Sequence, residues 1–125
     1  MILHDFSGRS IVSSQTELCT LLHNRPAFNS NNFILTFNDE SGFPLLNILV
    51  KNHDCVIYFL GDKGNSYVSF CEGGGEDIIE FYEDESGELL EVLQMNVISD
   101  KKIMESALQF FQTKEKPDCI EWMDL

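Results

Sequence analysis

The chain has no lysine, arginine or histidine between Gly64 and Asp100, although it is 125 residues long. Over the whole sequence 8 Lys+Arg stand against 21 Asp+Glu, giving a formal net charge of -13. This imbalance disfavours binding to bare nucleic acid or to an anionic membrane surface, and it is compatible with a basic protein partner. Solubility alone is the other explanation of the charge.

The sequence also lacks the signals of secretion and of membrane insertion. The first residues, MILHDFSGRS, contain neither a basic region nor an apolar run, so we expect no signal peptide. No segment approaches the about 20 apolar residues that a membrane-spanning helix needs. The cysteines are scattered and form no C-x-x-C motif, and they are Cys19, Cys55, Cys71 and Cys119. We therefore expect a cytoplasmic protein with reduced thiols.

Catalytic and metal-binding motifs are missing as well. We find no G-x-S-x-G, H-E-x-x-H, phosphate-binding loop or EF-hand spacing. Gly73–Gly75 is not followed by a helix that carries a lysine, which disfavours a phosphate site. His53 and Cys55 could in principle form a nucleophilic pair or a metal site, but no third group is indicated. We expect no catalytic residue, metal or cofactor, and we expect Cys55 to lie in the core.

The most distinctive apolar pattern lies near the C-terminus. Apolar residues recur at helical spacing, and they are Ile103, Met104, Ala107, Leu108, Phe110 and Phe111. Ser99 can cap the first amides, and Pro117 prevents continuation. The pattern predicts a helix from Ser99 to Thr113 that covers one face of a sheet. We expect Cys119 to Met123 to return as a final strand, with Trp122 closing the core.

The preceding residues predict that sheet. Runs of β-type residues separated by turn residues predict strands at 33–37, 45–50, 55–60, 66–70 and 77–82, and the nearly continuous apolar run 55–60 predicts a strand covered on both faces. Residues 89–98 fit either a further strand or an irregular approach to the helix, and residues 1–12 fit a first strand or an extended arm. Ser14 to Glu17 has capping-box spacing and predicts a short helix from Gln15 to Asn24. The fold class is therefore α+β, a single domain with an antiparallel meander of about five to seven strands.

Acidic residues collect around the predicted strand Asp77–Tyr82. Like charges at this density repel one another and lower stability. A rim that stays acidic despite this cost suggests a basic partner, whereas the alternative is a solvated edge protected against aggregation. From charge we expect the contact surface to include Glu76, Asp77, Glu80, Tyr82, Glu83 and Asp84.

The C-terminal segment FFQTKEKPDCIEW resembles the ending of the Imm1 family of bacterial immunity proteins, found in polymorphic toxin and contact-dependent competition systems. The residues that carry the resemblance are Phe110, Thr113, Pro117, Ile120 and Trp122. The segment VIYFLGDKGNSYVSF is similar to the central hairpin of that family. Lys114 stands where a glycine is expected, so either Lys114 is strained or the helix ends differently.

The resemblance implies a protein that binds a cognate toxin domain, often a nucleic-acid deaminase or nuclease, in a 1:1 complex and blocks it without chemistry of its own. The motif residues Phe110, Thr113, Pro117 and Trp122 are then structural. An acidic rim suits this role, because a nucleic-acid enzyme carries a basic cleft. Three alternatives stay open: an acidic nucleic-acid mimic that inhibits a DNA-binding protein, an enzyme that uses His53 and Cys55, and a scaffold subunit of a larger assembly.

Overall fold

The computed structural model describes all 125 residues, which form ten strands and two α-helices. In chain order these are β1 (Ile2–Asp5), β2 (Gly8–Ile11), α1 (Gln15–Leu22), β3 (Ser30–Thr36), β4 (Leu45–Lys51), β5 (Asp54–Leu60), β6 (Ser66–Ser69), β7 (Ile78–Tyr82), β8 (Leu89–Leu93), β9 (Ile98–Ser99), α2 (Ile103–Thr113) and β10 (Trp122–Asp124). The main sheet is antiparallel with the order β10-β6-β5-β4-β3-β1-β2, and β9 pairs with β5. Strands β7 and β8 form a separate hairpin. The predicted α+β class is confirmed.

Strand β5 is covered on both faces, as its apolar run predicts. Cys55, Ile57 and Phe59 alternate toward the helices and belong to the larger core cluster. Val56 points the other way, into a smaller cluster shared with the β7–β8 hairpin. The protein therefore has three layers, in which the helices lie on one face of the main sheet and the hairpin lies on the other.

The C-terminal helix packs on the sheet through one stripe, as predicted. Ile103, Ala107 and Phe110 are buried at i, i+4 and i+7, and the Phe110 ring meets Phe59 edge to face at 6.2 Å. Neither α1 nor α2 is long and apolar enough to cross a bilayer. These contacts fix the helix layer on the sheet.

The predicted start of this helix at Ser99 is wrong by one turn. Residues 98–99 instead form β9, which pairs with Asp54 and Cys55 of β5, and residues 100–102 form a 3-10 turn. The Ser99 hydroxyl still accepts a hydrogen bond from the Lys101 N–H at 3.2 Å. Ser99 therefore caps the 3-10 turn that leads into α2, since its backbone is held by the sheet.

The N-terminal third also differs from the expectation in detail. Residues 1–12 form the hairpin β1–β2 instead of a single strand or an arm. Helix α1 has the predicted cap, because the Glu17 N–H donates to Ser14 Oγ at 3.2 Å. It ends at Leu22, two residues earlier than predicted, where the Arg25 guanidinium donates to the Leu22 carbonyl at 2.7 Å.

Strand β7 does not extend the meander, which corrects the sequence prediction. The edge of β6 is occupied by β10, with Trp122 opposite Ser69. The Gly73–Gly75 segment carries the chain onto the other face of the sheet, and Gly74 lies against the backbone of Met95. A Cβ at Gly74 would lie 2.6 Å from Met95 Cα, so only glycine fits there. The Met95 N–H donates to the Gly75 carbonyl at 2.9 Å and fastens the base of the hairpin.

The final strand is present but shifted, spanning Trp122–Asp124 instead of Cys119–Met123. The indole N–H of Trp122 donates to the Pro117 carbonyl at 2.7 Å, and the ring is half-buried against the larger core cluster. Pro117 itself is buried. These contacts hold the segment after α2 against the sheet, so Trp122 and Pro117 have structural roles.

Candidate functional site

The outward face of the β7–β8 hairpin combines apolar and acidic side chains. The register pairs Ile79 with Val92 and Phe81 with Leu90, and these four side chains pack onto the main sheet. Because side chains alternate along a strand, the remaining ones point away from the protein. We call them the hairpin surface, and they are Ile78, Glu80, Tyr82, Leu89, Glu91 and Leu93.

The hairpin surface and its neighbour Phe28 hold four of the seven large apolar side chains that the structure exposes. Ile78 is 52% exposed, Leu89 47% and Leu93 37%. Single exposed apolar side chains are ordinary, but a cluster rimmed by polar groups marks a binding surface. The sequence did not indicate that Phe28, Ile78, Leu89 or Leu93 is functional, because alternation predicts which residues share a face and does not say that the outer face is apolar.

Phe28 extends the hairpin surface from the loop before β3. Its ring stacks on Tyr82 with centroids 4.5 Å apart, yet it stays 52% exposed. Its backbone has a φ of 58°, which is unfavourable for a bulky residue. Strain of this kind concentrates at functional sites. No sequence signal marks Phe28, since it lies between the predicted helix that ends at Asn24 and the predicted strand 33–37.

The carboxylates of the hairpin are not neutralised within the protein. Glu80 lies directly opposite Glu91, where like charges repel. The ion pairs of the structure lie elsewhere and join His4 with Asp39, Arg9 with Asp39, and His53 with Asp100. The ammonium of Lys51 donates to the backbone carbonyl of Glu80 and lies 5.8 Å from the Phe81 ring. The hairpin surface therefore presents carboxylates that form no ion pair, around apolar side chains.

The predicted contact residues all lie on β7 or in the turns beside it. Glu80 and Tyr82 belong to the hairpin surface, whereas Glu76, Asp77 and Glu83 are exposed at its two ends. Whether they touch a partner stays a prediction.

Asp84 has a local role in the turn between β7 and β8. Its Oδ1 accepts hydrogen bonds from the Ser86 hydroxyl and from the backbone N–H groups of Ser86 at 2.9 Å and Glu88 at 3.4 Å. These hydrogen bonds lower the pKa of the Asp84 carboxyl, and the bond from the Ser86 hydroxyl has the largest effect. Asp84 therefore shapes the turn that holds Glu83 and Glu88.

The structure does not bring His53 and Cys55 into a nucleophilic pair. The His53 side chain is 95% exposed, with Nδ1 3.6 Å from Asp100 Oδ2. Cys55 is fully buried in the core, as predicted, and its Sγ donates to the Ser99 carbonyl at 3.5 Å. Burial, reinforced by Asp100 and Asp54, raises the pKa of the Cys55 thiol far above its ordinary value. A protonated, enclosed thiol is a poor nucleophile.

A groove of about 930 Å³ lies at the C-terminal end of α2 and contains lysine side chains, which the hairpin surface does not. Its lining includes Lys63, Lys114 and Lys116, with no histidine or cysteine. The Lys116 ammonium lies 3.9 Å from the centre of the Tyr67 ring, and that of Lys114 lies 5.0 Å from the Phe37 ring. No cluster of three or more His, Cys, Asp or Glu side chains in the structure could hold a metal ion. Three of the 8 Lys+Arg residues thus lie at this groove and not on the acidic hairpin.

Comparison with known proteins places the chain in a family. No family model matches it. It is 38% identical over 125 residues to the double-stranded DNA deaminase immunity protein of Burkholderia cenocepacia (strain H111), and the match covers 100% of both chains. The predicted membership of an immunity-protein family is confirmed, without the narrower Imm1 assignment. Identity at this level over the full length shows that the chain belongs to the family of the double-stranded DNA deaminase immunity proteins.

Proposed function

We propose that this protein is an immunity protein that binds a cognate DNA deaminase toxin and neutralises it without chemistry of its own. The relative is named for immunity to a double-stranded DNA deaminase, and the present chain matches it from end to end. The observation that carries the mechanism is the hairpin surface, where exposed apolar side chains lie among unpaired carboxylates.

The chemistry of a deaminase explains why such a surface is suitable. An enzyme that acts on DNA has to neutralise phosphates with a basic surface, and it has to take the target base into a closed pocket. An acidic protein face can occupy the same basic surface and exclude the nucleic acid. Inhibition then follows from steric and electrostatic occlusion, and no residue of this chain has to react.

Apolar and acidic side chains have separate tasks in this mechanism. Phe28, Leu89 and Leu93 can bury apolar area against the toxin and slow dissociation, as the central residues of an interface do. Glu80, Glu91 and the carboxylates at the hairpin ends attract a basic partner and raise the association rate, up to about 10⁸–10⁹ M⁻¹s⁻¹ at low salt. Both contributions come from one face of one hairpin.

The proposal also includes the Imm1 family, a 1:1 complex and a cytoplasmic location. The Imm1 assignment is supported by the structural roles of the motif: Phe110 is buried, Trp122 binds the Pro117 carbonyl, and Thr113 Oγ1 accepts the Glu115 N–H at 3.1 Å. A 1:1 complex is expected because each chain has one hairpin surface. Action in the cytoplasm is supported by four free cysteines, as expected for a reducing compartment.

The alternative of a general nucleic-acid mimic fits the hairpin surface less well. A mimic of DNA needs carboxylates spaced like phosphates, whereas here Ile78, Leu89 and Leu93 separate the carboxylates. Apolar side chains give affinity for a protein pocket of matching shape. Recovery of many unrelated DNA-binding proteins with this chain, instead of one deaminase, would favour the mimic. A scaffold subunit would self-associate when purified, which a sedimentation measurement detects.

The first prediction concerns charge. We expect the pair Glu80→Lys and Glu83→Lys to slow association with the cognate deaminase domain by about tenfold or more at low salt, because a basic partner is no longer attracted. The rate should also depend less on salt. Stopped-flow measurements from low to high ionic strength test this.

The matched control is the pair Glu40→Lys and Glu121→Lys, which changes the net charge equally at exposed positions outside the hairpin. Its association rate should fall much less. Equal rates for the hairpin pair and the unchanged chain would remove Glu80 and Glu83 from the interface. Failure of the unchanged chain to inhibit cytosine or adenine deamination by that domain would refute the proposed function.

A further inference from the structure

The outer edge of β8 is an unpaired strand edge. The Glu83 N–H donates to the Glu88 carbonyl and the Gln94 N–H donates to the Asp77 carbonyl, each at 2.8 Å. Bonded and non-bonded pairs alternate along an antiparallel ladder, so residues 88, 90, 92 and 94 direct their backbone groups toward β7. Those of Leu89, Glu91 and Leu93 point outward in the plane of the hairpin, where no other strand pairs with β8.

The outer edge of β7 is partly covered by the main sheet. The Lys51 ammonium donates to the Glu80 carbonyl, and the Asn32 side-chain amide donates to the Glu83 carbonyl at 3.1 Å. Asn32 and Lys51 come from β3 and β4 of the main sheet, and β7 packs against both of these strands. The Glu80 carbonyl of β7 is therefore occupied and β7 lies against the main sheet, whereas the outward backbone groups of Leu89, Glu91 and Leu93 on β8 bind no other group of the protein.

Strand β8 also lacks most of the features that protect natural edge strands from pairing. Lysine, proline and bulges are the usual protections, and the sequence LLEVL contains neither lysine nor proline. It pairs with β7 in continuous register from Leu89 to Leu93, without a bulge. Leu89 and Leu93 are exposed on either side of Glu91, so the edge has apolar side chains and one charge beside its free backbone.

We propose that the outer edge of β8 receives an extended segment of the cognate deaminase toxin as an added strand. This inference rests on the proposed function. Backbone hydrogen bonds to Leu89, Glu91 and Leu93 would supply affinity, as in other cases of strand addition. The added strand carries a lysine or arginine opposite Glu91 and apolar side chains beside Leu89 and Leu93, because these match the charge and the apolar character of β8.

Amide hydrogen exchange, followed by NMR in the free chain and in its complex with the toxin domain, tests the proposal directly. We expect exchange at the Leu89, Glu91 and Leu93 amides to slow at least tenfold in the complex. The Leu90 and Val92 amides, which already bind β7, serve as internal controls and should change less. Unchanged exchange at the three outward amides in a formed complex would overturn the inference, whereas absence of any complex would refute the proposed function itself.

A backbone-specific variant gives a second test. Glu91→Pro removes the central outward N–H, at an edge position where proline is compatible with a strand. Glu91→Ala removes the same carboxylate and keeps the N–H. We expect Glu91→Pro to bind the toxin domain at least tenfold more weakly than Glu91→Ala.

Equal affinities of two folded variants would overturn strand addition, and circular dichroism shows whether the proline variant is folded. If it is not, the exchange experiment decides alone. Slowed exchange at the outward amides of the chain by itself, as its concentration rises, would assign the edge to a second copy and overturn the toxin as its occupant.

Discussion

Lys114 shows how one residue ends a helix at the cost of strain. Its φ of 60° and ψ of 18° lie in the left-handed region, and its N–H donates to the Phe110 carbonyl at 2.8 Å. Glycine is favoured at this position because it has no Cβ. Of the two outcomes that the sequence left open, the strained one is correct. The Lys114 ammonium lies 5.0 Å from the centre of the Phe37 ring, and this cation–π contact offsets part of the backbone strain.

We expect Lys114→Gly to be more stable than Lys114→Ala by about 1 kcal/mol in free energy of unfolding. Both variants lose the ammonium and its contact with Phe37, so their difference isolates the backbone strain. Urea denaturation of both variants measures it. Equal stabilities would mean that the segment after α2 relaxes to another conformation.

Phe28 is the second bulky residue with a positive φ, and its proposed role is to bind the toxin. We expect Phe28→Asn to change the free energy of unfolding by less than about 1 kcal/mol, because two effects oppose each other. Asparagine tolerates a positive φ, which relieves strain, whereas the stacking on Tyr82 is lost. Binding to the toxin domain should weaken about tenfold or more, since an exposed aromatic anchor is removed. Calorimetric titration measures the affinity.

Ile11→Asn is the control for Phe28, because Ile11 is 58% exposed on β2, outside the hairpin surface. It should leave affinity for the toxin domain within about twofold of the unchanged chain, as for a residue outside an interface. A Phe28 variant that binds as well as the Ile11 variant would exclude Phe28 from the interface.

At the scale of elements, a buried polar link joins the hairpin layer to the main sheet. Ser69 Oγ accepts the Ile57 N–H at 3.0 Å and donates to the Asn96 carbonyl at 2.7 Å. The Asn96 side-chain amide donates back to the Ser69 carbonyl at 2.9 Å. Ser69 thus links strand β5, strand β6 and the 3-10 turn Gln94–Asn96 that follows β8, and Ile57, Ser69 and Asn96 are all buried.

We expect Ser69→Ala to lower the free energy of unfolding by about 2–4 kcal/mol, because it leaves a buried N–H and a buried carbonyl without partners. Ser66→Ala on the same strand is the control and should cost less than about 1 kcal/mol, since Ser66 is only half-buried. Chemical denaturation compares the two. Equal losses would mean that water replaces the Ser69 hydroxyl.

The helices and strands were predictable from the sequence where the pattern that forms them lies within the element itself. Runs of β-type residues separated by turn residues indicated β3 to β6, the Ser14 cap indicated α1, and the helical stripe indicated α2. The placement of β7 was not predictable, because it depends on β10 taking the edge of β6 from about fifty residues away. The start of α2 was missed for the same reason, since pairing with β5 determines the backbone of Ser99.

The candidate site was predictable only in its charge. The absence of basic residues pointed to the segment that holds Glu80 and Tyr82, which the structure places on the outward hairpin face. Phe28, Leu89 and Leu93 were not indicated, since an apolar residue in a strand is normally buried and its exposure depends on what the rest of the chain leaves uncovered.

At the scale of the whole molecule, the net charge of -13 acts on stability as well as on association. We expect Glu91→Gln to raise the free energy of unfolding by a few tenths of a kcal/mol at low salt, because Glu91 faces Glu80 directly. Glu105→Gln removes the same charge from the first turn of α2 and should lower it by a similar amount.

Both effects should shrink toward zero near 1 M salt, where the screening length falls to about 3 Å. Thermal denaturation of the two variants across a salt series tests this. Identical shifts for the two variants at low salt would show that only the total charge matters and that the Glu80–Glu91 pair has no special role.

The unpaired edge of β8 could also pair with the same edge of a second copy of this chain. Two copies joined antiparallel about Glu91 would align Leu89 of one with Leu93 of the other, which is favourable, and would also place the two Glu91 side chains side by side. Both Glu80 side chains would add to that repulsion. A basic strand meets no such penalty. In the proposed strand addition, the Glu80 and Glu91 carboxylates therefore favour a basic strand of the toxin over a second copy of this chain.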